Sequence, residues 1–435
     1  MKLFQSLLVA PAALGLLAPL TVDASEINLN EISNYSDVDS IDFANSSNID
    51  DLNKDSLLAG GEGLMDVEDL DSNTYDGSFS STTTMDGKAI MWIGAVDGIT
   101  NIDDDEDGLS SDEPRESVAT GYTFTVNLNT SFAEKDNLYV RLKGGDAADA
   151  WKSKPATYHI DTKDTDDAIK IDKIWYQFPI GDNVTAFVGP RIENYYMYVT
   201  PSIYKPGALK AFKLGGNSNF GASTDNGFGF KWETDSGFAV ASNVVDKNGD
   251  SNGFFQDNGV SKWDTQIAYT QDRYHVSLTY SDAQNWTSQV YNATALGENT
   301  ATDSYGYALR AYWMPEDSGT AIPEVSLGYD VKNWEDVTTH GDVDEADSYF
   351  IGLTWKDIFQ GDDRIGFAVT QPLKATHVHG GGATNEVDDP MIWEAYYSWK
   401  QNDSITITPA VFGGTDVFSH DDNTFGAVVT TAFKF

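Results

Sequence analysis

From Lys88 onward the chain is a succession of short runs in which apolar and polar residues alternate. Tyr122, Phe124, Val126 and Leu128 alternate with Thr123, Thr125, Asn127 and Asn129. Tyr274, Val276, Leu278 and Tyr280 alternate with His275, Ser277 and Thr279. The same pattern runs through Leu138, Val140 and Leu142, through Val325, Leu327, Tyr329 and Val331, and through Tyr349, Ile351, Leu353 and Trp355. A period of two sends neighbouring side chains to opposite faces of a strand. No comparable helical period occurs; the best helical candidate, around Pro206 to Leu214, is short.

These runs predict an all-β protein of about sixteen strands. The connections carry more information than the count. Short ones at 133–136, 179–183, 235–236, 271–272, 315–322, 357–363 and 401–403 alternate with longer ones. The longer set is 96–120, 145–167, 192–226, 246–261, 282–303, 332–346, 372–390 and 413–422. A transmembrane antiparallel β-barrel, with short periplasmic turns and long external loops, has this rhythm. A propeller would also have many short strands, but no blade motif repeats. The last run puts Phe425, Ala427, Val429, Thr431, Phe433 and Phe435 on one face, as a closing strand would. Its terminal aromatic resembles the signal read by the barrel-assembly machinery. The barrel is expected over residues 85–435.

The alternation also predicts what lies inside. Asn127, Asn129, Arg141, Lys143, Asp264, Gln266, His275, Ser277, Arg310 and Asp330 fall on the face opposite the aromatics, which implies a wet lumen. Trp232, Trp263, Trp313, Trp355, Trp393 and Trp399 fall near strand ends, where aromatic girdles meet the lipid headgroups.

Charge narrows the partners. The chain has 27 Lys+Arg against 68 Asp+Glu, a formal net charge of -41, which argues against nucleic acid. It has no Cys, so disulfides, thiol catalysis and thiolate metal sites are excluded. Residues 1–24 read as a secretory signal: Lys2, then an apolar run from Leu7 to Leu20, then Val22-Asp23-Ala24 as the cleavage site. Residues 25–84 are rich in Ser, Asn and Asp and read as a flexible acidic periplasmic arm.

Three stretches resemble a known family. They are Met1 to Pro19 (MKLFQSLLVAPAALGLLAP), Gly87 to Gly98 (GKAIMWIGAVDG) and Ile171 to Asp182 (IDKIWYQFPIGD). They are similar to the cyanobacterial outer-membrane porins of the carbohydrate-selective porin family, often labelled iron-uptake porins. The resemblance implies a water-filled channel for passive diffusion of small hydrophilic solutes and inorganic ions, in a homotrimer set in the lipid bilayer of the outer membrane, without enzymatic activity. Family members usually carry an S-layer homology domain before the barrel; residues 25–84 are too short and too polar for one. The competing classes are a barrel hydrolase and a structural envelope anchor.

Four groups of residues are candidates for chemistry. The longest connection, 192–226, is of the kind that folds into the lumen of large porins. From Arg191 to Asn226 the cations are Arg191, Lys205, Lys210 and Lys213, against only Glu193 and Asp225. Lysines and arginines at a constriction favour anions, and Tyr195, Tyr196, Tyr198 and Tyr204 could wall the passage. The alternative is a loop packed on the rim, with acidic vestibule loops imposing cation preference. Asp103, Asp105, Asp107 and Gly108 match the first half of a calcium loop, but Pro114 stands where its closing carboxylate belongs. This makes a structural Ca2+ the one candidate cofactor. His275 and Ser277 have the spacing of a base and nucleophile, without an identifiable carboxylate. His377 and His379, before Gly380-Gly381-Gly382, could share a metal.

Overall fold

The computed structural model describes residues 82–97, 118–133, 135–146, 160, 162–216, 224–251, 253–257, 259–286, 303–380, 390–415 and 423–435. The predicted signal, most of the predicted arm and Asp103, Asp105 and Asp107 lie outside the described residues. Within them sixteen strands form one closed antiparallel barrel. The first four are β1 (Thr83–Asp97), β2 (Ala119–Thr130), β3 (Asn137–Asp146) and β4 (Lys170–Ile180). Next come β5 (Val184–Glu193), β6 (Thr224–Glu233), β7 (Phe238–Asp246) and β8 (Ser261–Gln271). They are followed by β9 (Tyr274–Gln284), β10 (Ser304–Trp313), β11 (Glu324–Trp334) and β12 (Val343–Lys356). The last are β13 (Arg364–Val378), β14 (Met391–Asn402), β15 (Ile405–Thr415) and β16 (Thr424–Lys434). Each strand pairs with its neighbours in sequence, and β1 closes the ring on β16 from Lys88↔Lys434 to Asp97↔Phe425. Closure leaves no unpaired edge, which is what allows strands to cross a bilayer.

Burial along β9 shows which way the barrel is turned. Tyr274, Val276, Leu278 and Tyr280 are 46%, 44%, 48% and 37% exposed, while His275, Ser277, Thr279 and Ser281 are at most 4% exposed. A globular protein buries the apolar set. Here the apolar set faces out all round the barrel, from Phe228 and Phe230 on β6 to Leu327 and Tyr329 on β11. An outer surface of this kind is stable only against lipid. Trp232, Trp313 and Trp399 stand exposed at the ends of their strands, and Trp263 at the start of its own.

The short turns are tied by carboxylates. Between β2 and β3, Asp136 accepts hydrogen bonds from the Phe132 and Ala133 backbone N–H groups at 2.9 and 2.7 Å and from Ser131 Oγ at 2.9 Å. Tyr176 of β4 donates to its other oxygen at 2.6 Å. Between β12 and β13, Asp363 does the same for the N–H groups of Ile358, Phe359 and Gln360, with Tyr397 of β14 donating at 3.0 Å. In both, an aspartate just before a strand satisfies the turn's free donors and pins the turn to the following hairpin.

The structure differs from the sequence expectation in three places. The barrel starts at Thr83 rather than 85, because Thr83 and Thr84 pair with Thr130 and Asn129 of β2. The helical candidate is reduced to a tight 3-10 segment at Lys210–Gly215, interrupted where Leu214 and Gly215 take positive φ of 58° and 72°. The connections expected at 332–346 and 372–390 are shortened from the strand side. β12 begins at Val343 and β13 runs on to Val378, and the two stay paired up to Val343↔Val378. β14 leaves β13 after Thr370↔Ile392. The β12–β13 hairpin therefore projects about eight residues, roughly 26 Å of strand, beyond the wall formed with β14.

Candidate functional site

The connection from β5 to β6 folds into the barrel, and its described part, residues 194–216, is held by side chains from nearly every wall. At its start Glu193 forms an ion pair with Lys173 of β4. Asn194 Nδ2 donates to Asp264 of β8 at 3.2 Å. Tyr196 and Met197 join Tyr139, Trp175, Phe187, Ile192 and Val245 in an apolar cluster. Val199 exchanges two hydrogen bonds with the Gln266 amide, 2.9 Å from its N–H and 3.2 Å to its carbonyl, so one glutamine side chain imitates a strand partner.

The chain then crosses to the opposite wall, where Glu394 of β14 receives it. Glu394 Oε1 accepts from Tyr204 OH at 2.8 Å and from Gly207 N–H at 2.9 Å. Oε2 accepts from the N–H groups of Ala208 and Leu209 at 3.0 and 2.8 Å. A buried carboxylate with four donors is the strong form of hydrogen bond, charge-assisted at every contact. Burial, then the Glu394 charge, pushes the Tyr204 phenol far above its usual range, so it stays a donor. Gly207 is required by close approach: a Cβ there would run into the Tyr396 ring. Tyr396 itself donates to the Lys205 carbonyl at 2.6 Å.

Behind this latch the wall is apolar. Leu209 and Phe212 pack with Trp92, Val96, Phe350, Ile392, Phe412 and Val428, all fully or almost fully buried. The connection leaves past β10, where Arg310 Nε donates to the Leu214 carbonyl at 3.0 Å while its other end pairs with Asp330 at 2.8 Å.

Several residues expected to line a wet lumen thus have another task. Asp264, Gln266 and Arg310 are completely buried because they hold the connection. His275 also differs from the hydrolase candidate: its Nδ1 shares a 2.7 Å hydrogen bond with Thr270 and its ring stacks on Tyr312.

The candidate constriction residues separate into three sets. Lys213 and Tyr195 come together, the ammonium 3.0 Å from the phenol oxygen and 4.4 Å over the ring centroid. Lys205 is exposed and Lys210 half-buried, both on the inward-folded segment. Arg191 and Tyr198 stand apart. Arg191 pairs across the sheet with Ile174, which shares its face with Tyr176 and the exposed Val188. That is the lipid side, and the Arg191 guanidinium bonds back to the Asp172 carbonyl at 3.3 Å. A register irregularity near the end of β5 turns it outward, which charge counting could not foresee. Tyr198 is fully buried against Ala241 and Ala308, so it packs rather than walls a passage.

Sequence reasoning missed Lys173, Glu193 and Glu394 as parts of the site. Lys173 lies inside the IDKIWYQFP stretch and Glu394 on the polar face of β14, so their positions were legible but their roles were not. The Glu193 carboxylate pairs with Lys173 and accepts a hydrogen bond from Thr224 Oγ1 at 3.2 Å. Lys173 also lies 5.1 Å over the Tyr196 ring. Lys173 and Lys213, with Tyr195 and Tyr196 between them, form the basic part of the site.

The chain matches the family described as carbohydrate-selective porin, OprB family, over residues 73–412. It belongs to that family. It is similar to an uncharacterised protein of Synechocystis, 24% identical over 85% of this chain and 72% of that one. It is also similar to an uncharacterised protein of Nostoc, 26% identical over 84% of this chain and 68% of that one. Among solved structures, Pseudomonas putida OprB at high pH superposes with a TM-score of 0.57 at 14% identity, covering 81% of this chain and 94% of that chain. As a carbohydrate-selective porin with a closed sixteen-stranded barrel, the protein is an outer-membrane channel for passive diffusion of small hydrophilic solutes and ions. The end bearing the short turns is periplasmic and the end bearing the long connections external.

Proposed function

We propose that this porin is narrowed by the β5–β6 connection into an eyelet that prefers anions and neutral hydrophilic solutes, small sugars among them. The observation that carries this reading is the pair of ammonium groups over the Tyr195 ring, Lys213 at 4.4 Å and Lys173 at 5.7 Å from its centroid, with Lys173 ion-paired to Glu193. Three of the acids that hold the connection are themselves compensated. Glu394 is wrapped in four donors, and Asp330 and Asp264 are each paired with a cation, Arg310 and Lys262. Lys205, Lys210 and Lys213 add positive charge on the segment itself. A narrow passage with low-dielectric walls strengthens such a field, and Tyr195 beside Lys213 offers a flat face to a sugar ring.

The barrel works as a homotrimer in the outer membrane of a cyanobacterial envelope, delivered by the barrel-assembly machinery. The arm before it lies in the periplasm, and Asp103, Asp105 and Asp107 order the first external loop around Ca2+. These parts rest on the family and on the sequence. Liposome swelling tests the solute class. Proteoliposomes should swell in isosmotic monosaccharide and slow with increasing sugar size. Swelling equal to that of protein-free liposomes refutes the channel, and swelling indifferent to sugar size refutes the eyelet.

A further inference from the structure

We propose that the projecting β12–β13 hairpin carries a binding site for a borderline divalent cation such as zinc, with His377 and His379 as ligands and Asp344 as the carboxylate that orients His377. His377 and His379 are two apart at the end of β13, so they share one face, while Val378 between them turns the other way into an apolar cluster. That cluster, Trp334, Val343, Ala346, Leu373, Ala375 and Val378, makes a firm base. The backbone extends the hairpin past the last strand pair: His379 N–H donates to the Asp342 carbonyl at 2.8 Å and Gly341 N–H to the His379 carbonyl at 3.1 Å. The two imidazoles are therefore displayed from an ordered platform, at the external mouth and away from the constriction.

Asp344 decides the chemistry. His377 Nδ1 lies 2.7 Å from Asp344 Oδ2 and His379 Nδ1 lies 3.7 Å from Oδ1 of the same carboxylate. The aspartate is within hydrogen-bond distance of His377 alone. A hydrogen bond donated by His377 Nδ1 leaves the lone pair on its Nε2, while the His379 ring, at the longer distance, stays free to turn a nitrogen to the same ion. Imidazole that donates one nitrogen to a carboxylate while its other nitrogen binds metal is the usual arrangement at histidine metal sites. The His340 ring stands beside Gly380, so a third imidazole is on the same rim. Among the described residues no three His, Cys, Asp or Glu side chains converge to hold an ion, so water completes the coordination shell around the two histidines. Nitrogen donors select zinc, nickel or copper over calcium and magnesium, which the acidic surface attracts without selectivity.

The test uses the full-length protein in detergent, titrated calorimetrically with zinc chloride in a large excess of magnesium to occupy surface carboxylates. The wild type should bind zinc saturably, one ion per chain, and release it on acidification as protons compete for the ligand nitrogens. His377→Ala/His379→Ala should abolish this binding while keeping wild-type conductance, which shows that the barrel is intact. Asp344→Asn should weaken it roughly 10- to 100-fold. Absence of saturable zinc binding in the wild type, or binding unchanged in the double variant, overturns the site. Unchanged affinity in Asp344→Asn overturns the orienting role of the carboxylate.

Discussion

Glu394→Gln should release the inward-folded β5–β6 connection without opening the barrel. In the native protein each carboxylate oxygen accepts two hydrogen bonds, from Tyr204 OH and Gly207 N–H on one side and from Ala208 and Leu209 N–H on the other. The amide keeps one acceptor oxygen and puts an NH2 group where the other was. Whichever way it is turned, two donors of the connection then face a donor. Hydrogen bonds to a charged group contribute about 1.5–3 kcal/mol each, so losing two costs the docked loop about 3–6 kcal/mol. The surviving pair weakens as well, because its acceptor is now neutral. The strand ladder β13–β14–β15 is backbone pairing and is not touched. The assay combines single-channel recording with limited trypsin digestion. The variant should show larger and noisier current steps and new cleavage after Lys210 and Lys213, yet retain the wild-type heat resistance of the barrel in detergent. Wild-type conductance together with wild-type trypsin resistance would show that Glu394 does not hold the loop.

Other predictions follow from the same geometry. Lys205→Glu/Lys210→Glu/Lys213→Glu should move the reversal potential toward cations, whereas Arg191→Gln, on the lipid face, should leave it where it was; an unmoved potential in the triple variant removes the lysines from the passage. Burial opposes the charged form of Asp136, but the hydrogen bonds from Tyr176, Ala133, Ser131 and Phe132 outweigh it and hold the carboxyl below its usual range. Stability from that turn is therefore complete above the unfolded-state pKa of about 3.9 and is lost as pH falls through the lower folded value. Thermal unfolding of Asp136→Asn should accordingly start about 1–3 kcal/mol weaker at neutral pH and fall less on acidification than the wild type; parallel pH curves for the two proteins would contradict this.

The barrel was legible because its outer face is chemically uniform. Along β9 from Tyr274 to Ser281 every outward residue is apolar and every inward one polar, so period two alone gives strand and face. β1 is different. Ile90, Trp92 and Val96 point inward while Met91 and Ile93 point outward, so both faces are apolar and the alternation disappears. The reason became visible only in three dimensions: Trp92 and Val96 receive Leu209 and Phe212 of the inward connection. The same holds for Phe350, Phe412 and Val428. Apolar residues on the inner face were the available sign that something packs inside.

The site was legible in its charge but not in its geometry. The excess of lysines between Arg191 and Asn226 falls on the connection that folds into the barrel. It could not separate Lys213, seated on Tyr195, from Arg191, turned to lipid by a register shift. Glu394 lies 190 residues from the tyrosine it binds, and no local pattern links them. Asp264, Gln266 and Arg310 read as pore lining because polarity on the inner face has two causes, water and a docked loop, which a sequence does not distinguish.

Reversal potential across a salt gradient, recorded for single wild-type channels in a planar bilayer, tests the central claim most directly. A passive channel with a basic eyelet should give discrete ohmic steps and a potential displaced toward the equilibrium value of the anion. A bilayer without steps would contradict the channel, and a potential displaced toward the cation would contradict the basic eyelet.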